Sequence, residues 1–204
     1  MIVKIVNETI APNMIGTALP TYEEYLATNL VKILLGSDEV NYPAYRVNPN
    51  TGFSDVPDSM TTVGVYLVFR DDILNPVKTM KYSGSTVQCG VRNRIHKIFR
   101  HSMGDVWTTD DRTKKGDAVQ PVAVYFDEEC DRDWNNVFVR YVPLFDRLHI
   151  TDQQLYLVRN VECMINNYFM DNYTECKNVS RHVSHIACER QVVEPIHSLA
   201  ALMT

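Results

Sequence analysis

Five side chains have the types and spacings of a reaction centre. Glu162 falls, at ~100° per residue, inside the apolar stripe that Leu155, Val158, Ile165 and Phe169 draw along one helical stretch. A carboxylate facing a core is costly unless it is paired or bound to a cation. Two partners fit: an arginine, Arg92 among them, or a divalent ion, since Mg²⁺ is commonly held by one carboxylate with waters and substrate phosphate oxygens. Arg92 and His96 are four residues apart and project from one side of their helix, at an edge of its apolar stripe. Arginine suits phosphate because its planar fork matches the oxygens and never loses its charge. Tyr66 and Tyr82 stand on neighbouring strands. Phosphodiester hydrolysis needs an activated nucleophile, countercharge in the transition state and help for the leaving oxygen, and these residue types can supply all three. The plainer alternatives are an Arg and a His on a wet surface, two tyrosines in ordinary sheet packing, and a buried Glu–Arg pair.

The elements around them follow from pattern. In Thr61–Phe69, Val63, Val65, Leu67 and Phe69 share one face of a strand, and Gly64, Tyr66, Val68 and Arg70 share the other. The turn at 71–76 and a returning strand, Val77–Ser83, make a hairpin. Gly64 and Gly84 would only weaken strands chosen for stability; Gly64 leaves room for a ligand or a backbone. A helix over Thr86–Met103 carries Val91, Ile95, Ile98 and Phe99 at helical spacing. Strands are expected at Pro121–Phe126 and Val137–Val142, and a helix over Thr151–Phe169 with Thr151 as its cap. Earlier, Ile2–Val6 reads as a short strand, Thr21–Leu35 as a helix stopped by Gly36, and Asn41–Ser59, with three prolines, as a loop. Val183–Val193 reads as a terminal helix, and Gly104–Gly116 as a polar loop. The fold class is therefore mixed α/β (α+β): a small mixed or antiparallel sheet with a hairpin, flanked by helices. Residues 1–60 form an N-terminal extension suited to DNA-reading or dimer contacts, 61–180 the core, and 181–204 a C-terminal tail or helix.

With 204 residues and 45% hydrophobic content, the chain can bury one sizeable core. No run approaches the ~18 apolar residues of a membrane span, and the first residues lack an apolar signal core. Five irregularly spaced cysteines fit a reducing compartment better than a disulfide frame. The expected location is the cytoplasm, or the nucleus in a eukaryote, and not the exterior. Net charge is −5, yet residues 78–115 hold nine basic residues against three acids, a local +6. Such a face can hold a polyanion, although a solvated surface with surplus lysine explains it equally well. Cys176, His182, His185 and Cys188 could be read as a zinc cluster, but their spacing matches no standard finger; buried thiols and surface histidines explain them better.

Gly64-Val65-Tyr66, Tyr82-Ser83-Gly84, Arg92, His96 and Glu162, in that order, resemble the GIY-YIG nuclease superfamily over roughly residues 61–180. The departures are Val65 and Ser83, each in place of isoleucine, and a long hairpin loop. The resemblance implies an endonuclease using one Mg²⁺ or Mn²⁺ per active site, with Glu162 as the metal ligand. By that likeness Arg92 stabilises the scissile phosphate, Tyr66 helps activate water with His96 as proton acceptor, and Tyr82 orients the site. Asn178 and Asn172 compete for the family's asparagine, with Asn178 favoured. Lys81, Arg94, Lys97, Arg100, Lys114 and Lys115 would contact DNA, and His101 and Trp107 could add contacts. A compact restriction or phage-defence enzyme cutting double-stranded DNA is the leading expectation, with room for a homodimer. A structure-specific repair or viral nuclease, an RNA substrate, and an inactive nucleic-acid-binding protein of the same fold stay open.

Overall fold

The computed structural model describes residues 22–37, 42–57, 60–71, 79–104 and 121–178. Chain order is helix α1 (Tyr22–Leu35), strand β1 (Ala44–Arg46), strands β2 (Thr62–Arg70) and β3 (Met80–Ser85), and helix α2 (Val91–Ser102). Then come a short helix α3 (Pro121–Val124) running into a π-turn (Tyr125–Glu129), strand β4 (Val137–Asp146) and helix α4 (Asp152–Asn172). The four strands form one antiparallel sheet in the order β1-β4-β2-β3, which bears out a mixed α+β fold with a hairpin and flanking helices. Among the described residues no helix is long and apolar enough to cross a membrane.

Both faces of β2 are buried, and its alternation sorts them. Val63, Val65 and Leu67 meet Leu30 and Leu34 of α1 and Val158, Val161 and Ile165 of α4. Tyr66 and Val68 meet Val91, Ile95 and Ile98 of α2, Val122 and Phe126 near α3, and Trp134. The result is three layers, helices–sheet–helices. Thr151 caps α4 with a complete capping box: its hydroxyl accepts from the Gln154 N–H, and the Gln154 side chain accepts from the Thr151 N–H. Gly36, at φ +75°, ends α1.

Three expectations need correction. Pro121–Phe126 is helix and π-turn, not strand: a short, mostly buried apolar run has no periodicity to separate the two, and proline is at home in a helix's first turn. The 41–59 loop contains β1, which extends the sheet beside β4. The helix after β3 begins at Val91, five residues later than expected, because Thr86 is taken up in closing the sheet end: its N–H donates to the Gly64 carbonyl at 2.9 Å, and its hydroxyl accepts from the Gly64 N–H at 2.9 Å. Within residues 1–60, the described part is built into the core through α1 and β1. The expected elements at Ile2–Val6 and Val183–Val193, and most of the 104–116 loop, lie outside the described residues.

Candidate functional site

Tyr66 lies in the middle of β2, opposite Gly84 on β3. Its ring lies over that glycine so closely that a Cβ at position 84 would be 2.6 Å from the hydroxyl. Tyr82, on the same face of β3, tilts beside it with ring centroids 6.4 Å apart. Gly64 has a different cause. A Cβ there would run into the Val142 carbonyl oxygen, where a bulge between β2 and β4 draws the two backbones together. Gly64 thus makes room for a backbone, and Gly84 for the phenol.

Helix α2 crosses this face, and the guanidinium it delivers belongs to Arg94. Arg94 Nη2 donates to the Tyr82 hydroxyl at 3.4 Å. Burial by itself would depress the Arg94 pKa, but Tyr66 and Tyr82 reverse this and leave it raised, so the group stays cationic. Tyr66 is 1% exposed. Burial, then the Tyr82 phenol, push its pKa well above the ordinary value; Arg94 opposes the shift, while Glu162 and Cys89 add to it. Tyr66 therefore keeps its proton at neutral pH and is not a base there.

Glu162 is half-buried on α4. Its Oε1 accepts from the Ser85 N–H at 3.0 Å, and its Oε2 from the Ser85 hydroxyl at 2.5 Å. It comes from the opposite layer: Ser83 and Ser85 face α4, whereas Tyr82 and Gly84 face α2. Edge strand β3 ends at Ser85, and the acid and the phenols lie on opposite faces of that strand. The buried Glu–Arg pair that the sequence left open is replaced by a Glu–Ser85 contact.

Arg92 and His96 are not beside the phenols. The Arg92 guanidinium lies over the Phe53 ring at 4.8 Å, and His96 stacks on the same ring with centroids 4.1 Å apart. The physical reason is the helical wheel. At ~100° per residue, Arg92 and His96 flank one edge of the Val91–Ile95–Ile98–Phe99 stripe and Arg94 the other. Either edge could have met the sheet's tyrosines; the crossing of α2 over β2 and β3 chose the Arg94 edge.

Ser83 also finds its reason. Its hydroxyl donates to Oδ1 of buried Asn166 at 2.5 Å, while Asn178 bonds both its N–H (3.0 Å) and its carbonyl (2.8 Å). Asn172, in contrast, turns back to the Tyr168 carbonyl. Lys81 is paired with Glu175 at 2.8 Å and lies over the Tyr173 ring. Lys97 and Arg100 are exposed along α2, and His101 is half-buried in its last turn. Lys114, Lys115, Trp107, His182, His185 and Cys188 lie outside the described residues. Sequence reasoning placed Arg94 among the DNA contacts and not beside the phenols, and it missed Ser85, Asn166 and Cys89. Only the polar Ser83 hinted that a polar partner awaited it.

Glu162 is the carboxylate that a hard cation would use here, and Ser85 donates to both of its oxygens. Each Glu162 oxygen accepts one hydrogen bond and keeps a lone pair. Among the described residues no group of three or more His, Cys, Asp or Glu could hold a metal ion, so a cation at Glu162 would need the rest of its shell from elsewhere. No family model, curated protein or solved structure matches this chain.

Proposed function

We propose that the chain is a divalent-metal-dependent endonuclease that hydrolyses phosphodiester bonds in double-stranded DNA, of restriction or phage-defence type, acting in the cytoplasm or nucleus. What supports this is the Tyr66–Tyr82–Arg94 cluster on one face of β3 and the Glu162–Ser85 contact on its other face, together with the ordered likeness to the GIY-YIG superfamily. Arg94 takes the phosphate-binding role that the likeness would give to Arg92, and Tyr82 orients its guanidinium. Tyr66 donates a hydrogen bond toward the attacking water or a phosphate oxygen. Glu162 holds the cation, and Ser85 fixes the carboxylate's angle. When bound, that cation supplies positive charge at the leaving oxygen. His96 is not assigned the proton, because its ring is stacked on Phe53 and its Nδ1 is bonded to the Thr51 carbonyl at 2.9 Å; the proton of the attacking water passes to solvent. Two copies acting together would cut both strands.

One observation favours a second reading. Tyr66 is buried to 1% exposure, which suits a nucleic-acid-binding protein that keeps this arrangement without catalysis. Incubating purified protein with supercoiled plasmid separates the two. The endonuclease gives nicked or linear product with Mg²⁺ or Mn²⁺ and none with EDTA, whereas a binding protein retards the plasmid and leaves it intact.

A further inference from the structure

The edge of α2 turned away from Tyr82 carries a second construction that the proposed reaction does not use. A tight loop closes between Asn48 and Phe53: Asn48 Oδ1 accepts from the N–H groups of Asn50 (2.9 Å) and Thr51 (3.2 Å), and the Asn48 N–H donates to the Phe53 carbonyl at 2.7 Å. The loop is fastened to α2 twice, by the Thr51–His96 hydrogen bond and by the parallel stack of Phe53 on His96, 10° from coplanar. Arg92 lies over the same ring, which is nevertheless 36% exposed. Further along the helix Lys97 and Arg100 are also exposed. At ~100° per residue, Arg92, His96, Lys97 and Arg100 fall within one sector of roughly 140°.

Charge makes this sector unusual. The α2 sequence, VRNRIHKIFRHS, has four Lys or Arg and no acid, in a chain whose net charge is −5. Arg92 to Arg100 covers ~12 Å of helix, too long for one phosphate group and suited to successive phosphates of a polymer. Phe53, in contact with both Arg92 and His96, adds a partly exposed apolar ring beside that track.

We propose that the outer face of α2, with the Asn48–Phe53 loop as its wall, is a docking surface for the backbone of double-stranded DNA, distinct from the Arg94–Glu162 centre: Arg92, Lys97 and Arg100 meet phosphates and Phe53 packs against the strand between them. The choice of DNA rests on the endonuclease reading; the charged, aromatic surface does not. Arg92 and His96 thereby pass from chemistry to binding.

The test is fluorescence anisotropy of a labelled DNA duplex in EDTA, over a range of salt concentrations. The triple variant Arg92→Ala, Lys97→Ala, Arg100→Ala is expected to bind at least about tenfold more weakly at 0.1 M salt. Its log–log salt slope should fall by ~0.9 for each phosphate that the variant no longer neutralises. Phe53→Ala is expected to weaken binding with the salt slope unchanged. Lys32→Ala with Arg159→Ala, exposed cations on α1 and α4, is the control and should bind as wild type does. Wild-type affinity in the triple variant, an equal loss in the control, or no duplex binding by the wild type would each overturn the surface. The two proposals fail separately: a protein that binds through this face but never cuts loses only the endonuclease reading, and one that cuts while the triple variant binds normally loses only the surface.

Discussion

A methyl group at position 84 would press on a phenol, and one at position 64 on a main-chain carbonyl; the difference should be measurable. The Tyr66 ring can tilt, so Gly84→Ala is expected to cost about 1–3 kcal/mol. The Val142 carbonyl belongs to a paired strand and cannot yield, so Gly64→Ala should destabilise more, and urea unfolding of the two variants compares them directly. Equal or negligible losses would contradict these close approaches. From sequence, both glycines stood out as wrong for stable strands, and both are required, but for separate reasons that need the register to be known. Arg94 teaches a related lesson. Spacing located the apolar stripe of α2 and hence its two polar edges, yet a wheel has no information on which edge a sheet will meet. Arg94 was seen as a basic residue near DNA and not as the partner of Tyr82.

Among the elements, β3 depends most on buried polar contacts. Ser83 sits where an apolar residue would ordinarily pack, and its hydroxyl meets Asn166, itself 1% exposed. Ser83→Ile should leave the Asn166 amide short of a partner and cost about 1–3 kcal/mol. Adding Asn166→Leu should recover much of that loss, giving a favourable coupling in a double-mutant cycle followed by thermal unfolding. Additive losses would mean that the two side chains do not depend on each other. The elements visible in the sequence were those with strong patterns or caps: α1 with its terminal Gly36, β2 with its long apolar run, and α4 with Thr151 as its cap. What stayed hidden were β1, only three residues long and specified by pairing to β4, and α3 with its π-turn, where Val122, Ala123, Tyr125 and Phe126 are all buried.

At the level of the whole molecule, one ion pair ties the sheet to the segment after the π-turn. Arg70, 2% exposed, meets Asp133 at 2.7 Å. Burial alone would raise the Asp133 pKa, but the Asn135 N–H and the Arg70 charge outweigh it and hold the carboxyl below its ordinary value. A carboxyl whose pKa is depressed by folding adds stability above the unfolded value of ~3.9 and loses it as pH falls through the folded value. Asp133→Asn is therefore expected to cost about 1–3 kcal/mol at pH 7, less than in a fully buried pair. The gap to wild type should close below about pH 4 in acid unfolding. A gap independent of pH would assign the effect to packing. The two cores and the single sheet hold the phenols, the guanidinium and the acid in place from opposite layers.

The most direct test of the proposed reaction centre is the Mg²⁺-dependent nicking rate of supercoiled plasmid by wild type, Arg94→Ala and Glu162→Gln, each first shown to be folded. The wild type should nick the plasmid, and each variant should do so at least ~100-fold more slowly. A wild type that leaves the plasmid intact, or variants that nick it at the wild-type rate, would contradict a reaction centre at the end of β3.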